Sequence, residues 1–564
     1  MAALLLAGVA VVEFVLDRGT ALRAPHVIFI VLDTVRADRV SFGGTAERDT
    51  TPYLASLAAK GVVFTKARSP SNWTLPSHAS MFTGLSPTEH GCHFEHRWLT
   101  NDAQTLAEVM KVGAPAYLTA GFSSNVNVSR TFNMHQGFDH WFESWSDEEV
   151  RKGKSASEMI CDRALTWIDE RTENDPGPQF VFMNFMDAHL PYHASPGYEK
   201  FFGVPSIDAA TLEAPDFLDR VLAGEVEVDE SMRAALELAY DNALRGLDAR
   251  LQAFFRQLEQ RGFLNDCVIV VTSDHGENLG EHGVVDHQGS MHETVLRVPL
   301  LITGSGVPEG GSSDRPVVTT DLFRWIQDLR WRAFKPEAAG RVRPAISERM
   351  RPIDLLTRLE AAGHADAARR VDGPETALVS PLRPALKLVR RAGRADALLE
   401  LSELVADEGR AISIDDADGE FLVGLLDDTL RFARPLRETL GPEPRVPEDD
   451  EDEAIAELER LGYVSTSRMR GGSVHAQEHL ARGNRAHEAG RVEDARAEWR
   501  AAATLAPDFA GPWFNLAVAA EVLSRGDNRA IRAAWEKYLE VALRSKDDQT
   551  KIQQAYERLD ALPE

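Results

Sequence analysis

Cysteine is scarce in this sequence, and its three occurrences follow no recognisable pattern. Cys92, Cys161 and Cys267 lie far apart in a chain of 564 residues, and none belongs to a Cys-x-x-Cys pair. Their spacing therefore indicates neither a disulfide framework nor a thiolate metal site. So small a number leaves the cellular compartment open.

Positive charge is also in short supply. The chain has 62 lysines and arginines against 88 acidic residues, which gives a net charge of −26 at pH 7. Because the overall field of such a chain repels phosphate backbones and anionic membrane surfaces, we predict no nucleic acid partner. A small anionic substrate is not excluded, since a bound metal ion reverses the field locally.

The apolar run at the N-terminus is short. It covers residues 2–12 before Glu13 interrupts it. A membrane-spanning helix needs roughly 20 apolar residues, and a signal peptide begins with a basic region that is missing here. We interpret residues 1–24 as a leader, or as the remnant of a membrane anchor or export signal.

Four internal apolar runs have the continuous character of buried parallel strands. They cover residues 26–33, 179–189, 266–277 and 296–304. Helical patterns lie between them, for example over residues 233–262. This alternation predicts an α/β sandwich around a mostly parallel sheet, and the length of the chain predicts two or three domains.

Acids and histidines follow three of these runs. They are Asp33, the pair Asp187 and His189, and the pair Asp274 and His275. Ligands of open α/β sheets gather at the carboxyl ends of strands, so the sequence predicts a functional site there.

The residue types at these strand ends suit a metal ion. Asp33 and Asp274 offer oxygen ligands, His275 offers a nitrogen ligand, and Thr74 offers a further oxygen. Such a set suits Mn²⁺, Mg²⁺, Ca²⁺ or Zn²⁺. An Asp at a strand end is often only a helix cap, and Asp-His-Gly alone is a weak motif, so the prediction depends on their occurring together.

The region after about residue 310 has weaker strand signals. We predict that residues 25–310 form the main catalytic domain and that residues 311–442 form a small antiparallel C-terminal subdomain of the same catalytic unit. Because a run of acids is usually solvated, we predict an acidic linker over residues 443–473.

The last part of the chain, residues 474–564, is rich in alanine and predicted to be entirely helical. Six residues have the spacing of one tetratricopeptide unit: Ala476, Gly483, Ala495, Trp499, Ala502 and Pro507. A second, weaker unit begins near Ala510 with Trp513, Leu516 and Ala517, and its second helix, around Ala530 and Trp535, is displaced by about one residue. We expect the final helix to cap this stack.

Four quoted stretches together resemble the sulfatase branch of the alkaline phosphatase superfamily. They are "VIFIVLDTVRADRVSFGG", "TPYLASLAAKGVVFTKARSPSNWTLPSHASMFTGLSPTEHG", "FMDAHLPY" and "VTSDHGENLGEHG" with "LRVPLLITG". The resemblance covers about residues 25–310 and continues faintly through "LELSELVADEGRAI". It implies a sulfatase-like catalytic sandwich whose members transfer or hydrolyse sulfate, phosphate or phosphonate esters with a metal-bound nucleophile.

The departures from the family pattern are informative. Thr74 stands where sulfatases have the Cys or Ser that they oxidise to formylglycine, and an oxidised Thr would be a ketone, so we predict no formylglycine. The family's Arg four residues later is His78, its second Asp at the first strand is Thr34, and the Lys that grips sulfate corresponds to His287. These changes imply a Thr-nucleophile member, such as a phosphodiesterase or a phosphoglycerol or phosphoethanolamine transferase.

The resemblance assigns roles to these residues. A divalent cation would favour the alkoxide of Thr74, which would attack the ester directly. His189 would steady charge or protonate the leaving oxygen, and His78 and His287 would contact the anion. Asn125 would donate to the substrate, although turn chemistry explains it nearly as well.

We predict one metal ion, because Asp187, His189 and His193 lack the Asp-x-x-x-His spacing of two-metal members. His282 and His292 are interpreted as structural.

We thus predict a metal-dependent enzyme that hydrolyses or transfers an anionic ester group. The predicted substrate is a lipid or a glycan that carries this ester. Phosphoesters and phosphonates are favoured over sulfate esters. One alternative is a true sulfatase that uses Thr74 without formylglycine, and another is an inactive scaffold that binds a protein partner through its repeats. The habit of the family and the N-terminal run predict a periplasmic or otherwise extracytoplasmic protein, with or without a membrane anchor.

Overall fold

The structure is a computed structural model, and it describes the larger part of the chain. The described residues are 24–43, 46–94, 96–113, 115–174, 177–330, 334, 344–392, 394–401, 411–432, 457–458, 474–488, 490–506, 509–523, 527–545 and 549–562. Apart from Ala24, the predicted leader lies outside them. Within these ranges, no helix combines the length and the apolar character that crossing a membrane requires.

The strands are short and occur in the first three quarters of the chain. In chain order they are β1 (His26–Leu32), β2 (Gly61–Phe64), β3 (Ala67–Arg68), β4 (Leu118–Ser123), β5 (His140–Glu143), β6 (Gln179–Phe185), β7 (Cys267–Thr272), β8 (Asn278–Leu279), β9 (Val285–Asp286), β10 (Leu300–Gly304), β11 (Gly311–Ser313), β12 (Val317–Val318), β13 (Ala345–Arg349), β14 (Glu375–Ser380), β15 (Arg383–Arg391), β16 (Ala397–Glu400) and β17 (Ala411–Ile412).

The α-helices cover both faces of the main sheet and make up the C-terminal region. They are α1 (Pro52–Ala58), α2 (Thr74–Thr83), α3 (Pro87–His90), α4 (Leu106–Val112), α5 (Glu148–Arg151), α6 (Ala156–Asn174), α7 (Ala209–Leu212), α8 (Phe217–Ala223), α9 (Glu230–Gln260), α10 (Glu293–Leu296), α11 (Leu322–Leu329), α12 (Ile353–Ala361), α13 (Ala365–Val371), α14 (Ala417–Phe432), α15 (Val474–Glu488), α16 (Val492–Leu505), α17 (Ala510–Leu523), α18 (Asn528–Ser545) and α19 (Gln549–Ala561).

The main sheet has the strand order β11-β2-β10-β7-β1-β6-β4-β5. Strand β10 pairs antiparallel with both of its neighbours, whereas the other pairs in this sheet are parallel. The predicted mostly parallel α/β sheet is therefore confirmed. Strand β11, which lies at the start of the predicted C-terminal subdomain, pairs with β2 in this main sheet.

Both faces of the main sheet are buried, which explains the continuous apolar runs. Side chains of a strand alternate between the two faces. In β1, Ile28, Ile30 and Leu32 belong to a core shared with α1, α6 and α9. Val27 and Phe29 belong to the opposite core, shared with α2, α4 and α11. The result is a helix–sheet–helix sandwich.

A second sheet, β13-β14-β15-β16-β17, is antiparallel throughout. Helix α14 packs on it through Leu422 and Leu426, which contact Leu378, Leu388 and Leu398. The buried Lys387 ties this sheet to the catalytic unit, because its ammonium group donates to the carbonyl of Met291 at 2.7 Å. This is the antiparallel arrangement predicted for the region after residue 310.

Of the predicted acidic linker, the structure describes residues 457–458 alone. Leu458 is fully buried in the same core as α2 and α4. The solvated character predicted for the linker therefore does not hold at this residue.

Each of the C-terminal helices α15 to α19 packs against the next one along the chain. Residues with the tetratricopeptide spacing are buried there, including Ala476, Ala495, Trp499 and Ala502. Gly483 allows the indole of Trp499 to approach, since a Cβ at this glycine would lie 2.4 Å from it. In the last helix, Ile552 and Ala555 pack in the cluster that also holds Trp535. Pro507 lies outside the described residues.

Candidate active site

Three of the predicted ligands meet at the carboxyl edge of the main sheet. Asp33 follows β1, and Asp274 and His275 follow the neighbouring strand β7, which runs parallel to β1. Their ligand atoms lie within 4.8 Å of one another, and all three side chains are fully buried. Adjacent parallel strands deliver their last side chains to one place, as the sequence predicted.

This group fits a divalent cation. Oδ1 of Asp33 and Oδ2 of Asp274 are buried, and neither accepts a hydrogen bond within the described part of the chain. Burial and the neighbouring charge of Asp33 hold the pKa of Asp274 well above its usual range. Two buried carboxylate oxygens that accept no hydrogen bond are costly unless a cation compensates them, and two oxygens with one imidazole nitrogen suit such an ion.

His275 is oriented to bind through Nε2. Its Nδ1 donates to the carbonyl of Gly276 at 2.9 Å. This hydrogen bond fixes the tautomer, so that the lone pair of Nε2 points towards the two carboxylates. Proteins usually orient a metal-binding histidine by a hydrogen bond of this kind. Burial lowers the pKa of His275 well below its usual range, which keeps the ring neutral.

Thr74 is the first residue of helix α2, at the same edge of the sheet. Its Oγ1 lies 3.2 Å from Nε2 of His275. A helix N-terminus carries unpaired N–H groups and favours negative charge. The helix is fastened to the end of β7, because Ser77 Oγ donates to the carbonyl of Asp274 at 2.7 Å.

Two amides support Asp33. Nδ2 of Asn125 donates to Oδ2 of Asp33 at 2.7 Å and lies 3.5 Å from the hydroxyl of Thr74. Nδ2 of Asn184 lies 3.4 Å from the same carboxylate oxygen. Asn184 was missed in the sequence, although a polar residue inside the apolar run of β6 was a signal for it. Asn125 is thus next to the reacting atoms, and its contact with substrate stays a prediction.

Thr34 stands where the family has its second Asp, and it does not add a ligand to the group. Its hydroxyl donates instead to the backbone carbonyl of Ala188 at 2.8 Å. Its φ of 59° is rare for a β-branched residue. This conformation lets the N–H of Thr34 donate to Oδ1 of Asp274 at 3.2 Å.

His78 lies one helical turn after Thr74 and is fully buried. Its Nδ1 donates to the carbonyl of Thr74 at 2.9 Å, and its ring lies edge-on to Phe82 and Phe182. Burial lowers the pKa of His78 to about 4, so this ring is neutral at pH 7. Its role as an anion contact stays a prediction, and any such contact would come from a neutral ring.

His287 is the charged imidazole of the site. Burial alone would lower its pKa, but the carboxylates of Asp286 and Glu277 raise it to about 9. Its Nδ1 lies 3.1 Å from Oδ1 of Asp286 and 3.4 Å from Oε1 of Glu277. The ring centroid is 4.2 Å from that of His275. An imidazolium beside the candidate metal ligands suits an anion, and the substrate contact expected from the alignment of His287 with the family's Lys stays a prediction.

The loop of His287 is tied to the segment that precedes Thr74. Nδ2 of Asn72 donates to the carbonyl of His287 at 2.9 Å and to that of Gln288 at 3.2 Å. Neither this contact nor the roles of Asp286 and Glu277 were visible in the sequence.

His189 lies on the other side of His287, with ring centroids 5.4 Å apart. Its Nδ1 donates to the carbonyl of Leu190 at 2.6 Å, and its role as a proton donor stays a prediction. Asp187 and His193 lie beside it without joining a ligand cluster among the described residues. His282 and His292 stack on each other at 4.0 Å, and their structural role stays a prediction.

Comparisons with known proteins agree on the fold. The family model described as Sulfatase matches residues 25–329. An ulvan-active sulfatase of Formosa agariphila is 24% identical over 53% of this chain and 60% of its own length, so the match spans less than two thirds of that relative.

Two solved structures are similar over most of their length. The phosphonate monoester hydrolase SpPMH of Silicibacter pomeroyi has a TM-score of 0.55 at 20% identity and covers 72% of this chain and 94% of its own. A 2-O GAG sulfatase has a TM-score of 0.53 at 16% identity, with coverages of 73% and 93%. At these identities the two structures establish the fold alone.

Proposed function

The chain belongs to the sulfatase family of hydrolases, and we propose that it is a metal-dependent ester hydrolase or transferase that uses Thr74 directly as its nucleophile. The observation that carries this proposal is the position of the Thr74 hydroxyl, 3.2 Å from Nε2 of His275 at the N-terminus of α2. Asp33, Asp274 and His275 would hold one divalent cation, Mn²⁺, Mg²⁺, Ca²⁺ or Zn²⁺, together with the Thr74 oxygen.

When bound, the cation supplies Lewis acidity that lowers the pKa of the Thr74 hydroxyl. Thr74 Oγ1, after its proton has passed to water, would form a bond to the phosphorus or sulfur while the bond to the leaving oxygen breaks. His287 would balance negative charge on the non-bridging oxygens. His189 would donate to the leaving oxygen from its imidazolium form, in which Nε2 carries a proton in addition to the one on Nδ1. The N–H groups at the start of α2 favour the anion in the same place.

The second cluster of acids, Glu277 and Asp286 around His287, is also close enough to hold an ion. The positive charge of His287 already compensates these carboxylates, so we propose one ion rather than two.

Phosphoesters and phosphonates are the proposed substrates. In formylglycine enzymes the hydrated aldehyde expels the bound acid group, and Thr74 has no such hydrate. A covalent ester on Thr74 would therefore have to be cleaved by water or by an acceptor alcohol. Phosphorus tolerates this second displacement well, whereas an alkyl sulfate resists attack at sulfur. A true sulfatase without formylglycine is the second candidate, which the sulfatases among the relatives favour.

Metal analysis combined with turnover of nitrophenyl phosphate, phosphodiester, phosphonate and sulfate esters tests these proposals. We expect one equivalent of metal and the fastest turnover on a phosphorus ester. Sulfate turnover that far exceeds the other three would establish the second candidate. A protein that binds no metal and turns over none of the four would be the inactive scaffold.

We also propose that helices α15 to α19 are tetratricopeptide repeats that bind a protein partner. Their buried small residues and paired helices support this. Deleting residues 474–564 should leave turnover of nitrophenyl esters nearly intact and abolish capture of partners. Loss of folding on deletion would show instead that these helices belong to the catalytic core.

An extracytoplasmic location, with or without a membrane anchor, is proposed from the apolar residues 2–12. Fractionation of cells that express the full chain tests it, and recovery of the whole activity in the cytoplasm would refute it.

A further inference from the structure

The turn after β1 and the loop after β7 carry the candidate metal ligands, and two backbone N–H groups connect them. The N–H of Thr34 donates to Oδ1 of Asp274 at 3.2 Å, and the N–H of Val35 donates to Oγ of Ser273 at 2.9 Å. The side chain of Arg36, the next residue along the chain, makes a third connection. Because this third connection comes from a side chain, a substitution can remove it and leave both backbone donors in place.

The guanidinium group of Arg36 is fully buried between the two segments. Its Nε and Nη2 donate to the two carboxylate oxygens of Asp38, in its own turn, at 2.9 and 2.7 Å. Its Nη1 donates to the backbone carbonyl of Glu277 at 3.1 Å and to Oε1 of Glu281 at 2.7 Å, in the segment after β7. Four hydrogen bonds from one rigid plane therefore fix both segments at once, a geometry that a lysine cannot reproduce in full.

Arg36 is itself held in place by α9 and by a glycine. The Tyr240 hydroxyl accepts a hydrogen bond from the N–H of Arg36 at 2.9 Å and donates to the carbonyl of Thr34 at 2.9 Å. The side chain of Arg36 passes close to Gly276, where an added Cβ would clash with the carbonyl oxygen of Thr294 and lie 3.1 Å from Cγ of Arg36. The glycine of the Asp-His-Gly motif is thus required for this close packing.

The segment that Arg36 fixes is the one that orients two imidazoles. The carbonyl of Gly276 accepts the hydrogen bond from Nδ1 of His275 at 2.9 Å. Glu277, whose carbonyl binds Arg36, has its carboxylate Oε1 3.4 Å from Nδ1 of His287. A shift of this short piece of backbone would therefore turn both rings.

We propose that Arg36 is a positioning residue that holds Asp33, Asp274 and His275 in the arrangement that binds a divalent cation. It acts through the backbone at residues 276–277 and does not contact the ion. This inference rests on the proposed metal centre. It adds a residue that lies outside the ligand group and outside α2.

Titration of the metal-free protein with Mn²⁺ tests the inference without any substrate, because electron paramagnetic resonance measures the free ion. Arg36→Met should raise the Kd for Mn²⁺ by about 10- to 100-fold, the range for loss of a partner that orients a metal ligand. Arg36→Lys should recover part of the affinity, since its ammonium group can still bind the carbonyl of Glu277. Should Arg36→Met fail to fold, Arg36→Lys provides the test and should bind Mn²⁺ more weakly than the wild type.

Arg349→Met is the matched control, because Arg349 is a buried arginine with the same kinds of partner. Its Nε and Nη2 donate to Oε2 of Glu375 at 3.0 and 2.6 Å, and its Nη1 donates to the carbonyl of Val371 at 2.9 Å. It belongs to β13 of the second sheet. Arg36→Met and Arg349→Met should both lower the Tm of the metal-free protein, whereas the Kd should rise in Arg36→Met alone.

Two results would overturn the inference and leave the metal centre in place. They are an unchanged Kd in both Arg36 variants, and an equal increase of the Kd in Arg36→Met and Arg349→Met, which would reflect lost stability in general. A wild-type protein that binds no Mn²⁺ would be a different result, because it would refute the proposed metal centre and the inference with it.

Discussion

The hydroxyl of Thr74 and the imidazole of His275 meet at 3.2 Å, although 201 residues separate them in the chain. Thr74 begins α2 and His275 follows β7, and both side chains are fully buried. Because Nδ1 of His275 donates to the carbonyl of Gly276, Nε2 is the ring atom that faces Thr74. The contact places the Thr74 hydroxyl beside the group of Asp33, Asp274 and His275 that suits a cation.

The Thr74 hydroxyl should be indispensable. Thr74→Ala should lower kcat/KM by on the order of 10⁴-fold or more, as removal of a nucleophile does in other enzymes, while metal binding weakens only in part. Thr74→Ser keeps the hydroxyl and should retain substantial activity. Mass spectrometry of the quenched wild-type enzyme should detect a substrate-derived adduct on the peptide that contains Thr74. Full activity in Thr74→Ala would refute direct attack.

The metal should depend on Asp274. Asp274→Ala removes a carboxylate oxygen that has no protein partner among the described residues, so both the bound ion and activity should be lost. Elemental analysis of the purified variant measures this directly. Asp139→Asn, in a half-exposed acid paired with Lys111, is the control and should keep its metal. Stoichiometric metal in Asp274→Ala would show that the ligand group is assigned incorrectly.

The charge of His287 should be visible in the metal-free protein. Its folded pKa of about 9 is above the usual value of about 6.5. Proton binding to His287 therefore stabilises the fold fully below about pH 6.5, and this contribution is lost as pH rises through 9. We expect the difference in the free energy of unfolding between the wild type and His287→Gln, measured in the presence of a metal chelator, to fall by on the order of 3 kcal/mol as pH rises over this range.

Histidine NMR provides the internal control for that experiment. The His78 ring, with a pKa near 4, should not titrate between pH 6 and 9. Glu277→Gln removes one of the two carboxylates and should move the titration of His287 to lower pH. Addition of a divalent cation should move it in the same direction, because a like charge nearby disfavours the imidazolium. A His287 titration near pH 6.5 would contradict the proposed pairing.

The packing of the C-terminal helices can be tested with two glycines. Gly483→Ala places a Cβ 2.4 Å from the Trp499 indole and should destabilise the α15–α16 pair by about 1–3 kcal/mol. Gly424→Ala in α14 meets no atom within 4 Å and should be neutral or stabilising by up to about 1 kcal/mol. Thermal unfolding followed by circular dichroism distinguishes them, and ester turnover should be unchanged in both. Equal shifts would contradict the packing described for Trp499.

The meeting of Asp33, Asp274 and His275 was predictable because it depends on one rule. Each of these residues follows an apolar run, and parallel strands deliver their ends to one edge of the sheet. The antiparallel direction of β10 was not predictable, since a short apolar run is the same for a parallel and an antiparallel strand. Strand β11 was missed because it is three residues long, which is below the length that a pattern reveals.

The group around His287 was beyond sequence reasoning for a different reason. Glu277 and His287 are brought together by β8 and β9, which are two residues each. Asp286 contacts the His287 ring from a backbone conformation with a φ of 63°, which no local sequence pattern predicts. The burial of Leu458 was not predictable either. This residue follows a run of acids, which predicts exposure, but it packs in a core formed by residues distant in the sequence.

The side-chain amide of Asn72 joins the segment just before Thr74 to the loop that carries His287 through two hydrogen bonds. The separation between the Thr74 hydroxyl and the His287 ring is therefore constrained by the protein itself. Under the proposed chemistry, the tetrahedral centre of a substrate would have to match this separation, whichever alcohol it carries.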